Sequence, residues 1–350
     1  MPVTLPDTMR ALVLEEYWEN VVEAIKSLKV LHRPTPRPGR GQVLVKIAAA
    51  PCNPSDLLLL QGKYGELKTL PTVPGWEGAG TVVASGGGIL ARWLTGKRVT
   101  CALRADRDGT WAQYFLADAK NCVPLKPQLP FEQAAGLIIN PMTAMGLLET
   151  AQRCGHRAAV QTAAASQLGR MMLAMANVAN YPLINIVRRD AQVELLKSLG
   201  ARHVLNSSNE GFAEELTTLC ERLRATAGFE AIAGDMTGTL HNAMPRGSTV
   251  YVYGALSEEP CGNIDPVQLI FQNKTITGFY LGVWLRRRGT LGVLRAANRV
   301  QRMFIDGRIT TTIQRRLSLD EAIAGLLQYV EHMTEGKVLI MPHGRGDAAS

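Results

Sequence analysis

The 350-residue sequence contains six cysteines and no close pair among them. Cys52, Cys101, Cys122, Cys154, Cys220 and Cys261 are scattered, which excludes the paired spacing of redox and zinc motifs and makes no demand for disulfides. A reducing compartment fits that pattern. No window of membrane-spanning length is free of charge. Residues Met1 to Arg10 lack the basic start and apolar core of a secretory signal, and Glu15-Glu16 follow soon after. A soluble, cytoplasmic protein with no membrane partner is the expectation. The net charge is +8, yet no basic stripe with interleaved aromatics appears, so nucleic acid is not an expected partner. The densest basic run, Arg286-Arg287-Arg288, reads either as a solvated face or as a contact for an anionic substrate. No internal repeat is present.

What the chain does have is a core stretch from Ala158 to Asn206. Ala158 to Gln161 reads as a short strand, and Thr162 to Gln167 as a tight turn of small residues. Leu168, Met171, Met172, Met175, Val178 and Ala179 then recur at helical spacing. Pro182 ends that helix before a second apolar run, Leu183 to Val187. A second helix, Ala191 to Leu199, stops at Gly200, a suitable C-terminal cap, and His203 to Leu205 forms a third run. Helices of this length between strands imply parallel pairing, because parallel neighbours need a long crossover. In such sheets a dinucleotide lies beyond the carboxyl ends of the strands, its pyrophosphate at a helix N-terminus. The glycine fingerprint of that turn is worn: only Gly169 has a counterpart, and alanines, Ser166 and Gln167 fill the rest. At the end of the second strand a free ribose hydroxyl is usually met by a carboxylate and a 2′-phosphate by arginine. Arg188-Arg189 places two planar guanidiniums there, which favours NADP(H). Two solvated arginines, with Asp190 capping the next helix, are the alternative.

The length suggests about two domains. From Met9 to about Pro130 short strands alternate with Gly and Pro turns, as in a compact β barrel or sandwich. Helical character follows from Phe131 to Leu147, with Asn140-Pro141 interrupting it. Beyond the core stretch come a helix at Phe212 to Ala225, a strand at Phe229 to Ala233, a helix near Leu240 and a strand at Thr249 to Tyr253. The run Thr275 to Leu281 reads as another strand. Helices are expected at Leu291 to Asp306 and Leu319 to Met333, then a last strand at Lys337 to Met341. The tail from Gly344 to Ser350 is expected to be disordered.

Three segments carry a resemblance: Asn53-Pro54-Ser55-Asp56, Gln61-Gly62-Lys63-Tyr64-Gly65 and Pro74-Gly75-Trp76-Glu77-Gly78. With them the chain resembles the medium-chain dehydrogenase/reductase superfamily over about residues 9 to 341, and within it the zinc-free quinone oxidoreductases and enoyl thioester reductases. Asn140-Pro141-Met142-Thr143-Ala144 and Gly278 to Trp284 are similar to the mitochondrial-type 2-enoyl thioester reductases in particular. The resemblance implies an α/β protein: a GroES-like β domain, residues 1–142 completed by 288–350, and a Rossmann domain with a doubly wound parallel sheet, residues 143–287. It also implies a homodimer joined through the edge of the Rossmann sheet near Thr275 to Leu281.

At the positions where zinc alcohol dehydrogenases carry Cys, His and Cys, this chain has Asn53, Trp76 and Asn140, so no metal is expected. Tyr64 matches the tyrosine that enoyl thioester reductases place near the nicotinamide, where a phenol can donate a hydrogen bond or proton. A loop tyrosine packed on Pro71 or Trp76 is the alternative. The resemblance carries NADP contacts onto Asn140, Ala165, Ser166, Gln167, Leu168, Arg188, Arg189, Asp190, Tyr253, Gly254, Ala255, Leu256, Phe279, Tyr280, Leu281, Gly282 and Lys337. Residues 165 to 168 would face the pyrophosphate with backbone N–H groups, and 279 to 282 would border the nicotinamide. The implied activity is NADPH-dependent reduction of a 2-enoyl thioester, with quinone reduction as the rival and a non-catalytic NADPH-binding protein as the alternative of another class.

Overall fold

The computed structural model describes residues 5–102 and 107–344, and divides the chain into two compact units. The expectation of a disordered tail falls outside the described residues from position 345 onward. The first unit comprises Met1–Ile139 and Thr290–Ser350, and the second Asn140–Gly289.

The first unit opens with β1 (Thr8–Val13), helix α1 (Val21–Lys26) and β2 (Lys29–Pro34). The strands β1 and β2 pair antiparallel. Then follow β3 (Gln42–Pro51), α2 (Pro54–Leu60), β4 (Glu77–Ser85), α3 (Ile89–Leu94), β5 (Arg98–Ala102), β6 (Tyr114–Asp118), β7 (Cys122–Pro124) and α4 (Phe131–Ala134). β3 is ten residues long and pairs antiparallel with both β4 and β6. Buried positions along it share one hydrophobic core with Trp111, Leu12 and Leu60, none of which is exposed. Gly80 permits the close approach of β4 to β3: a Cβ there would lie 2.0 Å from the Lys46 carbonyl oxygen.

The second unit holds most of α5 (Ile139–Arg153), then β8 (Ala159–Gln161), α6 (Gln167–Val178), β9 (Leu183–Val187), α7 (Asp190–Ser198) and β10 (His203–Asn206). It continues with α8 (Phe212–Leu223), β11 (Ala227–Glu230), α9 (Asp235–Ala243), β12 (Thr249–Val252), α10 (Pro266–Phe271) and β13 (Thr275–Gly278). The six strands run parallel in the order β10-β9-β8-β11-β12-β13. This is the doubly wound order, reversing direction between β8 and β11. β9 is buried along its whole length, as a central parallel strand covered on both faces must be. Gly200, at φ 83, ends α7 in the left-handed conformation expected of it.

α11 (Leu281–Ile305) crosses the boundary and bends at Gly289, whose φ of 65 and ψ of 171 are not helical. The first unit is then completed by β14 (Ile313–Leu317), α12 (Ala322–Glu331) and β15 (Lys337–Ile340). β15 pairs antiparallel with β3 and parallel with β14, so the end of the chain becomes part of the first unit's sheet.

Several expected elements are displaced. Asn140-Pro141 does not interrupt a helix; it lies in the first turn of α5, where a missing N–H costs nothing. The break falls between Ala134 and Ile139. The strand expected at Phe229 to Ala233 occupies Ala227–Glu230, because Ala233 and Gly234 turn into positive φ (67 and 58). The run from Thr275 leaves the sheet after Gly278, and Leu281 already belongs to α11. Of the arginine run, Arg286 and Arg287 are exposed, while Arg288 pairs with Glu149 and its guanidinium lies 4.4 Å from the Trp284 ring centroid. No described helix is long and apolar enough to cross a membrane.

Candidate functional site

The second unit gathers four of the expected contact groups at one edge. Residues 165–168 follow β8, 188–190 follow β9, 253–256 follow β12 and 279–282 follow β13, so all four stand at carboxyl ends of parallel strands. That edge, at the reversal of strand order, is where open α/β sheets take their ligands.

The turn after β8 is built without the usual glycines. Ala163 adopts φ 48, a left-handed conformation that glycine normally supplies. Ser166 caps α6, its hydroxyl accepting from the Gly169 amide at 3.1 Å. Gly169 is obligatory: a Cβ there would sit 2.4 Å from the Ala164 carbonyl oxygen. The first-turn amides of a helix have no intrahelical acceptor and carry the positive end of its dipole, so α6 can receive a phosphate.

A residue the sequence reading passed over holds this edge together. Glu230, fully buried at the end of β11, accepts hydrogen bonds from the amides of Ile232 (2.7 Å) and Ala233 (2.6 Å). It also accepts from the hydroxyls of Thr162 (3.0 Å) and Thr237 (3.2 Å). The Thr162 hydroxyl in turn accepts from the Ala231 amide at 2.8 Å. The carboxylate thereby ties the turn after β8 to the loop after β11, on both sides of the reversal point. The available signal was a glutamate ending an apolar strand, Ala227-Gly228-Phe229-Glu230, where burial demands several donors.

After β9, Arg188 and Arg189 are exposed, and Arg189 is the N-terminal flanking residue of α7. Asp190 is therefore not the cap; it lies in the first turn and accepts from Asn206 Nδ2 at 2.8 Å. Beyond β12, the Tyr253 hydroxyl is buried with no hydrogen-bond partner among the described residues, and burial raises its pKa. Gly254 passes so close to Ala231 that a Cβ would meet its carbonyl oxygen at 2.7 Å. Ala255 and Leu256 are exposed. Phe279 packs against Gly146 of α5, where a Cβ would lie 2.7 Å from its ring. Tyr280 is exposed, Leu281 and Gly282 are half-buried, and Asn140 is buried in α5.

The first unit holds Tyr64 and Lys337 in a different setting. The Tyr64 ring lies against Trp76, centroids 4.6 Å apart and planes inclined by 37°. On Trp76 also sits Lys68, whose ammonium is 5.1 Å from the indole centroid and donates to the Val73 carbonyl at 3.1 Å. Burial pulls the Lys68 amine down to about 8, against the opposing charges of Asp56 and Asp108.

Lys337 is buried, and its ammonium donates to Asn53 Oδ1 at 2.7 Å and to the Cys52 carbonyl at 3.0 Å. Asn53 Nδ2 donates to Glu77 at 3.0 Å, and Glu77 further accepts from the amides of Ile138 (3.0 Å) and Ile139 (2.9 Å). Asp56 accepts from the amides of Asn53 (2.7 Å) and Trp76 (3.0 Å). Burial raises the pKa of both carboxyls, Asp56 to about 7, although their hydrogen bonds and Lys337 pull the other way. Burial likewise lowers the pKa of Lys337. Asn53 and Trp76 do not suit a zinc ion: both ends of the Asn53 amide are engaged, its oxygen by an ammonium, and an indole offers no lone pair to a metal.

The comparisons with known proteins agree with this architecture. Residues 39–127 match the family model of the alcohol dehydrogenase GroES-like domain, and 168–295 that of the zinc-binding dehydrogenases. The mitochondrial enoyl-[acyl-carrier-protein] reductase of Bos taurus is 31% identical over 289 residues, 80% of this chain and 74% of that protein. The protein of the same name from Caenorhabditis elegans is 29% identical over 295 residues, 81% of this chain and 83% of its own. The crystal structure of a candidate NADPH:quinone reductase from Mesorhizobium loti superposes with a TM-score of 0.90 at 35% identity, covering 97% of this chain and all of that one. This chain belongs to the medium-chain dehydrogenase/reductase superfamily. As a member it is an oxidoreductase, with a GroES-like unit and a Rossmann-type parallel sheet.

The buried carboxyl of Asp56 has a consequence for stability. In the unfolded chain it ionises near its ordinary value of 3.8, but in the fold it keeps its proton up to about 7. Between those values the folded state binds more protons than the unfolded one, so this group's contribution is fully present below the lower value and is lost as pH rises through the upper. Asp56→Asn removes that loss. Urea midpoints at about pH 5 and about pH 8 check this: the difference between the two pH values is expected to be smaller in the variant than in the wild type.

Proposed function

We propose that the protein is an NADPH-dependent reductase that saturates the double bond of a 2-enoyl thioester. What carries this reading is the likeness to relatives that bear the enoyl-[acyl-carrier-protein] reductase name, 31% and 29% identical; the Tyr64 ring lies against Trp76, a contact that the packing role would also make. A nicotinamide bound there would supply a hydride to the β-carbon. Negative charge then develops on the thioester carbonyl oxygen and α-carbon, and the Tyr64 phenol is the group assigned to stabilise it by donating a hydrogen bond. The reaction runs without zinc in this reading, since Asn53 and Trp76 are poor metal ligands.

The residues fit the cofactor. The turn after β8 and the first turn of α6 receive the pyrophosphate, and Glu230 keeps the two loops of the reversal point in place without itself touching the ligand. Gly254 lets the backbone after β12 lie low on the sheet edge, and the buried Tyr253 hydroxyl beside it is available to a ligand atom. Arg188 and Arg189 hold the 2′-phosphate. The second reading, an NADPH:quinone reductase, is favoured by the likeness to the Mesorhizobium loti protein.

Removing both arginines tests the cofactor assignment. Arg188→Ala with Arg189→Ala is expected to weaken NADPH binding by roughly one to two decades while leaving NADH binding nearly unchanged. Equal affinity of the wild type for the two cofactors rejects the assignment.

The sheet edge supports a reading of the oligomeric state. Among the described residues β13 has no strand on its outer edge, and α10, which precedes it in the chain, exposes Val267, Ile270 and Phe271. We propose a homodimer formed there. Sedimentation velocity is expected to show a dimer that Ile270→Glu with Phe271→Glu converts to monomer. A monomeric wild type rules this out.

Tyr64→Phe separates the two substrate readings. Losing one preorganised donor typically lowers turnover by ~10²–10³, so enoyl thioester reduction is expected to fall by about two decades with NADPH affinity nearly unchanged. Quinone reduction depends less on that donor, because quinone oxygens can take protons from water. Assays of both substrates with NADPH, run with and without a chelator, decide the matter. Full enoyl thioester turnover in Tyr64→Phe makes Tyr64 a packing residue, and a wild type active only on quinones gives the function to the second reading. Turnover of neither leaves a cofactor-binding protein.

A further inference from the structure

The corner of the first unit around α3 is neither part of the proposed site nor explained by packing. α3 is a short helix between Gly88 and Thr95, entered through two glycines at positive φ, Gly87 (97) and Gly88 (94). Its inward residues, Ala91 and Leu94, are buried to within 1% and anchor the helix on the sheet. Its outward residues are Ile89, Leu90 and Trp93, which are 93%, 42% and 54% exposed. Single exposed apolar residues are ordinary, but three on one helical turn, one of them tryptophan, form a patch.

The exposed charges of this corner are cationic. The segment from Gly86 to Lys97 contains no acidic residue and carries Arg92 and Lys97. The ammonium of Lys97 lies 4.2 Å from the Trp93 ring centroid, so the ring has a cation at its face. The turn ending at Gly41 pairs with the loop before α3, Gly41 N donating to Gly87 O at 2.9 Å, and contributes exposed Arg40. The single turn Ala119–Asn121 packs against α3 and contributes exposed Lys120. Asp118, next to it, is ion-paired with Arg107 at 3.0 Å. Among the described residues Arg40, Arg92 and Lys120 have no ion-pair partner.

We propose that the α3 corner docks on an anionic lipid surface, with Ile89, Leu90 and Trp93 entering the headgroup boundary and Arg40, Arg92, Lys97 and Lys120 meeting the lipid charges. An apolar tip ringed by cations, with tryptophan at the boundary, matches both the depth and the potential of such an interface. A second copy of the chain matches it less well, because a two-fold contact would set the same four cations against each other. The expectation from the sequence, no membrane partner, concerned spanning segments; a short helix lying on the surface leaves no such signature.

Co-sedimentation of the full chain with vesicles tests this. Vesicles of equal parts phosphatidylcholine and phosphatidylglycerol are expected to carry the protein down, and pure phosphatidylcholine is not. Ile89→Glu with Trp93→Glu is expected to abolish binding. Arg92→Ala with Lys120→Ala should weaken it roughly 25-fold, about fivefold per cation. These residues are exposed and lie outside the proposed site, so oxidation of NADPH by a water-soluble acceptor is expected to be unchanged in both variants, which also reports that they fold. Failure of the wild type to bind the mixed vesicles overturns the proposal, as does binding that Ile89→Glu with Trp93→Glu leaves intact. Dissociation of an oligomer by that same pair, with wild type left in the supernatant, assigns the corner to contact between copies instead.

Discussion

The first unit depends on the ammonium of Lys337, buried between the Cys52 carbonyl and the Asn53 side chain, 284 positions away in sequence. A lysine in such a place is tolerable only with compensating partners, because an isolated buried charge is far costlier than the net stability of a fold. Here the compensation passes through Asn53 to Glu77, and Asp56 lies close enough to act on the same ammonium. Removing one partner of such a set typically costs 3–5 kcal/mol, since the remaining charge stays buried and unpaired. The cluster therefore binds the returning chain, β15, to the start of α2 and to β4. That is how a unit interrupted by some 150 residues closes into one sheet.

The second unit meets the same problem with a different solution. Glu230 is buried with no cation at hydrogen-bond distance among the described residues; four N–H and O–H donors surround it instead. Donors fixed by backbone geometry specify loop shape more tightly than a flexible ammonium would, and here they shape both loops of the reversal point. Beside them Gln161 donates to Asn185 Oδ1 at 2.7 Å and to the Gly169 carbonyl at 3.1 Å, so β8, β9 and the start of α6 are cross-linked under the turn. This edge of the sheet is thus cross-linked by the protein's own hydrogen bonds, an arrangement that lowers the ordering cost for a ligand bound there.

How much of this could be read from the residues follows from which signals are local. The strands β8, β9 and β10 and the helices between them announce themselves by apolar runs, by periodicity and by Pro182 and Gly200. The short helices do not: α1, α2 and α10 span seven residues or fewer, too few for a helical period to show. The strand β11 was misplaced because Phe229 to Ala233 is apolar apart from Glu230, while Gly228 lowered the appeal of its true start; the bend at Ala233 is set by Glu230 in three dimensions. α11 was expected only from Leu291 onward, since Arg286-Arg287-Arg288 and Gly289 interrupt the apolar pattern before it. Of the groupings at the carboxyl ends of the strands, the turn after β8 and Arg188-Arg189 were legible in the residues, and those after β12 and β13 came from resemblance. The network of Lys337, Asn53 and Glu77 came from neither, because partners so far apart leave no local mark.

The worn glycine turn now has a physical reading. A fingerprint glycine serves where φ is positive, where the helix must approach the strand, or where the ligand must approach the backbone. The approach of helix to strand still has its glycine, Gly169, at a position where a Cβ is sterically forbidden. Positive φ falls on Ala163 instead, at a cost of about 1–2 kcal/mol relative to the right-handed region. That strain is held by neighbours on both sides: Ala164 N donates to the Ile186 carbonyl at 3.1 Å and Ser166 N to the Ala163 carbonyl at 2.9 Å. The third role is surrendered to Ser166, whose hydroxyl is turned inward to cap Gly169 rather than outward. The turn therefore keeps its shape without its usual residues. What changes is the surface of the turn: Ala164 and Ala165 are buried, and Ala163, Ser166 and Gln167 are its half-buried residues.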